Sequence, residues 1–75
     1  MTDAQIRRLR DEAVTERDWN QVAVCRIALG GRADPRCDLE HEITTTRGRV
    51  PLFDLRQDEA LAECERVVSD AAANR

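Results

Sequence analysis

Apolar residues recur at helical spacing in three stretches of this chain and lose that spacing in a fourth. In the last third, Leu61, Cys64, Val68 and Ala71 follow one another at intervals of three, four and three, and Ala60 and Val67 widen the stripe. Glu59, Glu63, Glu65, Arg66 and Asp70 fall largely on the opposite face, so the pattern predicts an amphipathic helix near residues 55–73. Asp54, with Gln57 three residues on, is its expected cap. Near the start, Thr2 and Gln5 have the spacing of a capping box, and Asp3 suits the positive end of a helix dipole. Ile6, Leu9 and Ala13 then form a narrow apolar stripe among charged neighbours, which predicts a surface helix near 3–16. Asp18 and Gln21 repeat the capping signal ahead of residues 19–29, the most apolar run in the chain. A helix apolar around so much of its circumference is central and packed on two sides, and Gly30-Gly31 ends it. The expected core is Ile6, Leu9, Ala13, Val22, Cys25, Leu29, Leu61, Cys64, Val68 and Ala71.

Residues 32–53 are different in kind. The stretch around Pro35 has no periodicity, and β-branched residues then flank Arg47-Gly48-Arg49. Gly48 can supply the positive φ of a tight turn, so a β-hairpin is expected, with strands near 40–46 and 49–53. Pro51 cannot donate to a ladder and places its strand at an edge. The fold class is mainly α: one three-helix domain, residues 1–75, with a short hairpin or extended arm inserted between the second and third helices.

Composition bounds what such a domain can do. At 75 residues it buries only about 60% of its unfolded surface, so its stability is marginal and self-association or a partner would support it. Trp19 and Phe53 are the only aromatics, leaving an aliphatic core. All twelve basic residues are Arg, and the net charge of −3 argues against a dedicated nucleic-acid binder. No segment reads as a signal peptide or a membrane span, and three cysteines are an odd number for a disulfide framework. Together these predict a cytoplasmic protein with free thiols and no membrane contact.

Four residues hold the right inventory for a structural zinc site: Cys25, Cys37, His41 and Cys64. Their spacing is poor, since only Cys37 and His41 resemble a knuckle, and Cys25 and Cys64 sit on apolar stripes where a free Cys acts as a small hydrophobe. No metal or other cofactor is therefore assigned. Catalysis finds little support either: nothing orients a Cys37–His41 nucleophile pair, and no glycine-rich loop builds an oxyanion or phosphate cradle. The expectation is a protein that is not an enzyme.

Two binding readings remain. The first two helices, joined by a short turn, resemble a helix-turn-helix, yet burying the second leaves only Asn20, Gln21 and Arg26 to read bases. That regulator is the runner-up. The favoured reading is recognition of a protein partner, or of a second copy, through the hairpin. Arg47 and Arg49 form a projecting cationic tip, and Val50, Leu52 and Phe53 form an edge that could extend a partner's sheet. Trp19, at a helix start, is a further candidate anchor, although a place in the core is the simpler reading of both Trp19 and Phe53.

Residues 6–13 (Ile-Arg-Arg-Leu-Arg-Asp-Glu-Ala), Gln21-Val22-Ala23 through Ala28-Leu29-Gly30, and 62–68 (Ala-Glu-Cys-Glu-Arg-Val-Val) with Asp70-Ala71-Ala72 together resemble a group of short uncharacterised helical proteins from bacteria and prophages. In that group a short acidic link joins the second and third helices, whereas here the link is the long 31–53 segment. The resemblance covers about half of the chain. It carries no activity, but it implies a mobile-element setting in which a small acidic protein modulates or inhibits a host or phage complex. It also separates Cys64, in the shared helix, from Cys37 and His41 in the insertion.

Overall fold

A computed structural model describes residues 1–73 as α1 (Asp3–Thr15), α2 (Trp19–Ala28), β1 (Glu42–Thr45), β2 (Gly48–Pro51) and α3 (Gln57–Ala73). A 3-10 turn, Leu52–Asp54, lies between β2 and α3. The three-helix architecture with a hairpin between the second and third helices is the expected one.

The helix ends form where local chemistry dictates. The Thr2 hydroxyl accepts from the Gln5 amide at 3.2 Å while the Gln5 side-chain oxygen accepts from the Thr2 amide at 2.8 Å, a complete capping box. Asp18 caps α2 by accepting from the Gln21 amide. Both helices close with the same pair of reversed hydrogen bonds. After α2, Gly30 takes a φ of +88°, its amide donates to the Ile27 carbonyl, and the Gly31 amide donates to that of Arg26. After α1 the left-handed position falls to a residue with a Cβ, Arg17, at φ +57°, with the Arg17 and Asp18 amides donating to Val14 and Ala13.

α2 is the central element and packs against both α1 and α3. Val22, Val24, Cys25 and Ile27 are buried on it, and no residue of α2 is more than partly exposed. Ile6 of α1, Ala60 and Cys64 of α3, and Val50, Leu52 and Leu55 from the insertion complete the core. Leu9, Leu29 and Leu61 are half-buried around it.

Val68 and Ala71 do not belong to that core: Val68 is 40% exposed and Ala71 is exposed too. The reason is length. At about 1.5 Å per residue, the seventeen residues of α3 run about 25 Å and the ten of α2 only about 15 Å, so α2 cannot cover the last turns of its neighbour.

The strands are antiparallel, with Ile43 opposite Val50 and Thr45 opposite Gly48, so the connecting turn is Thr46-Arg47. Gly48 follows it at φ +98°. Ile43 and Val50 face the helices, while Thr44 and Arg49 face outward, the alternation a one-sided hairpin requires. Both strands are shorter than expected because the chain turns into the 3-10 segment after Pro51, which has no amide hydrogen to extend the ladder. Asp54 consequently lies in that turn and does not cap α3. The helix starts at Gln57, where Glu59 accepts from the Arg56 amide at 3.0 Å and the Arg56 carbonyl accepts from Ala60. No helix among the described residues is long and apolar enough to cross a membrane.

Candidate protein-binding surface

The insertion is fixed to the helices at two points. The first is a buried carboxylate. Asp34, in the loop after α2, is only 2% exposed and accepts from the Arg36 amide at 2.9 Å, Arg36 Nε at 3.0 Å, Arg36 Nη2 at 2.9 Å and Arg26 Nη1 at 3.2 Å. These bonds, those from Arg36 above all, outweigh burial and hold its carboxyl well below the usual carboxylate range. The Arg36 guanidinium also lies over the Trp19 ring, 3.7 Å from its centroid, and the Asp38 amide donates to Asn20 Oδ1 at 2.9 Å. The loop is thus pinned across the start of α2, and the side that Trp19 turns to it is covered. Trp19 is neither in the deep core nor a free anchor.

The second point is the turn of the hairpin. Arg47 does not project; it folds back onto α3, where Nε and Nη2 each donate to a Glu59 carboxylate oxygen at 2.7 Å, and Nη2 donates to the Asp54 carbonyl at 3.2 Å. This fork-on-fork pair supplies the direction and planarity that Arg offers and Lys does not. It draws the Glu59 pKa down to about 2 against the opposing effect of burial, and raises that of Arg47. Of the expected cationic tip Arg49 is the more exposed residue, with Nε donating to Glu42 across the strands at 3.3 Å.

Fixing the insertion this way sorts the remaining predicted contact residues. Val50 and Leu52 are in the core, so their side chains are not available to a partner. Phe53 does the opposite of what its size suggests: it is 68% exposed, between buried Leu52 and exposed Asp54 on the 3-10 turn. The Leu52 amide donates to the His41 carbonyl at 2.9 Å and the Phe53 amide to the Leu39 carbonyl at 3.2 Å. That pairing aligns Phe53 with Leu39, which is 47% exposed. Two exposed apolar residues, one aromatic and one aliphatic, are therefore backbone neighbours at the base of the hairpin. Leu39 was invisible as a site residue because a leucine in a non-periodic stretch carries no signal of which way it faces. Asp34-Pro35 does carry the signature of a turn, though not of a buried carboxylate.

The cysteines and the histidine are split. Cys64 donates to Cys25 across the α2–α3 contact with the sulfurs 4.0 Å apart, and that bond together with burial raises the Cys64 pKa. Cys37 is half-buried in the loop and His41 is exposed. Among the described residues, no three His, Cys, Asp or Glu side chains are placed to hold a metal ion. The three polar side chains of α2 that could have read bases each have a partner within the fold: Asn20 holds the Asp38 amide, Gln21 Nε2 donates to Cys25 Sγ at 3.5 Å, and Arg26 binds Asp34.

The site is a fixed apolar surface on a helical domain with an inserted hairpin. No protein-family model, curated protein or solved structure matches the chain.

Proposed function

We propose that this protein is a non-catalytic protein-binding module whose main contact is the Phe53–Leu39 patch. The observation that supports it is the presentation of Phe53. A large aromatic left two-thirds exposed is unfavourable in water, yet here it sits on a turn held by two backbone hydrogen bonds and flanked by the buried Leu52. Rigid, protruding aromatics are what protein interfaces use as anchors, since little conformational freedom is lost when they are covered. Arg49, exposed on the outward face of the hairpin, supplies polar contact at the rim. The wider role is modulation or inhibition of a larger host or phage complex, the setting implied by the resemblance to short prophage-associated proteins.

The test is capture from a lysate of the source cell, with and without nuclease, using the wild-type chain and Phe53→Ala in parallel. A stoichiometric protein that survives nuclease and is lost with Phe53→Ala is the expected result. Retention of that protein by Phe53→Ala, or retention of nucleic acid alone, overturns the reading.

A further inference from the structure

We propose that the groove between α1 and the last turns of α3 receives a second copy of this chain, around a two-fold axis that sets Arg8 of each copy against Glu12 of the other. The groove encloses about 270 Å³, with Leu9, Val67, Val68 and Ala71 on its apolar lining and Arg8 and Glu12 on the α1 side. It exists because α3 outruns α2. The stripe that buries Cys64 continues one turn further as Val68, which stays 40% exposed at the groove.

The charges on the rim fit this occupant. Arg8 and Glu12 are four apart on α1, so they lie on one face, and both are exposed. Among the described residues neither is in an ion pair. A strongly acidic partner would match one of them and oppose the other, and a strongly basic partner likewise. A two-fold axis removes the conflict, because a contact from residue i to residue j is repeated from j to i. Each Arg8 then meets a Glu12, and a patch with no net rim charge becomes complementary to itself. Ala71 and Ala72 beside Val68 let the two α3 helices approach closely. The patch is small, which puts the dimer among weak associations. It uses other residues than the Phe53 patch, so the two surfaces stand or fall separately.

Sedimentation equilibrium on the full chain, from about 10 μM to about 1 mM, covers the concentrations at which weak dimers form. The expected result is a monomer that becomes a dimer over this range, and Val68→Asp holds it monomeric. Arg8→Glu weakens the dimer at least about tenfold by placing like charges across the axis, and adding Glu12→Arg restores it to within about threefold. Circular dichroism of each variant checks folding, and Arg8→Glu carries the test if Val68→Asp does not fold. Phe53→Ala leaves the association unchanged. A monomer throughout the range, a dimer indifferent to Val68→Asp and Arg8→Glu, or a charge swap that fails to restore association each overturns the proposal.

Discussion

Leu52 and Phe53 are chain neighbours with opposite surroundings, and truncating each in turn tests how the 3-10 turn is oriented. Leu52 is 1% exposed and belongs to the core, whereas Phe53 is 68% exposed. Leu52→Ala removes three carbons from that core. At about 0.8 kcal/mol per buried methylene the transfer loss is about 2.4 kcal/mol, and incomplete collapse of the cavity brings the total to about 3 kcal/mol. Stabilities of about 0.05–0.15 kcal/mol per residue give a domain of this length about 4–11 kcal/mol in all, so the loss is a large share of it. For a chain of this size about 1 kcal/mol moves Tm by about 4–8 °C, which predicts a drop of about 12–24 °C. Phe53→Ala removes more carbon but from water, and its effect stays within about 0.5 kcal/mol. Urea and thermal unfolding followed by far-UV circular dichroism measure both. A Phe53→Ala loss equal to or larger than that of Leu52→Ala refutes the assignment of core and surface on this turn, and with it the patch on which the proposed function rests.

Three further outcomes are expected. Asp34 and Glu59 both have folded-state pKa values held below their ordinary range, so their contribution to stability is complete above the unfolded carboxylate pKa and is lost as pH falls through the folded values. Tm should therefore decline from about pH 5 toward about pH 2, and Asp34→Asn and Glu59→Gln should each flatten that decline while lowering Tm at neutral pH. Arg17→Gly relieves the left-handed backbone after α1 and should raise stability by about 0.5–1 kcal/mol, read as a higher urea midpoint; a lower midpoint would contradict the assigned turn. A brief pulse of iodoacetamide on the native protein should alkylate Cys37 ahead of Cys25 and Cys64, as mapped by peptide mass spectrometry, with all three reacting alike in denaturant.

The helices and their order were legible because their signals are local. Thr2 with Gln5, Asp18 with Gln21, and Gly30-Gly31 satisfy backbone groups within a few residues, and the capping bonds form as their spacing suggests. Val68 and Ala71 were misread because periodicity reports which face of a helix is apolar and not how far its neighbour extends. The site was less legible still. Arg47 finds Glu59 twelve residues away, and no local rule distinguishes such a pair from a solvated turn. Leu52 and Phe53 are both apolar, and only the direction in which the 3-10 turn leaves Pro51 decides which of them is buried. Trp19 was read as core or anchor, and its actual role, a platform for Arg36, depends on a loop with no periodicity.

The central position of α2 also fixes the order in which the molecule comes apart and reassembles. α1 reaches α2 across a three-residue connection, so their contacts are nearly local, but Cys25 meets Cys64 only by closing a separation of 39 residues. Closure of that length costs about 3 kcal/mol of chain entropy before any contact across the seam repays it. Contacts of short range form first, and α3 docks late. The Asp34 cluster and the Arg47–Glu59 pair act on this step: the one lays the loop back along α2, and the other shortens the remaining span to twelve residues. The Arg47–Glu59 pair ties the hairpin turn to the first turn of α3, so the insertion is held to the helix that docks last.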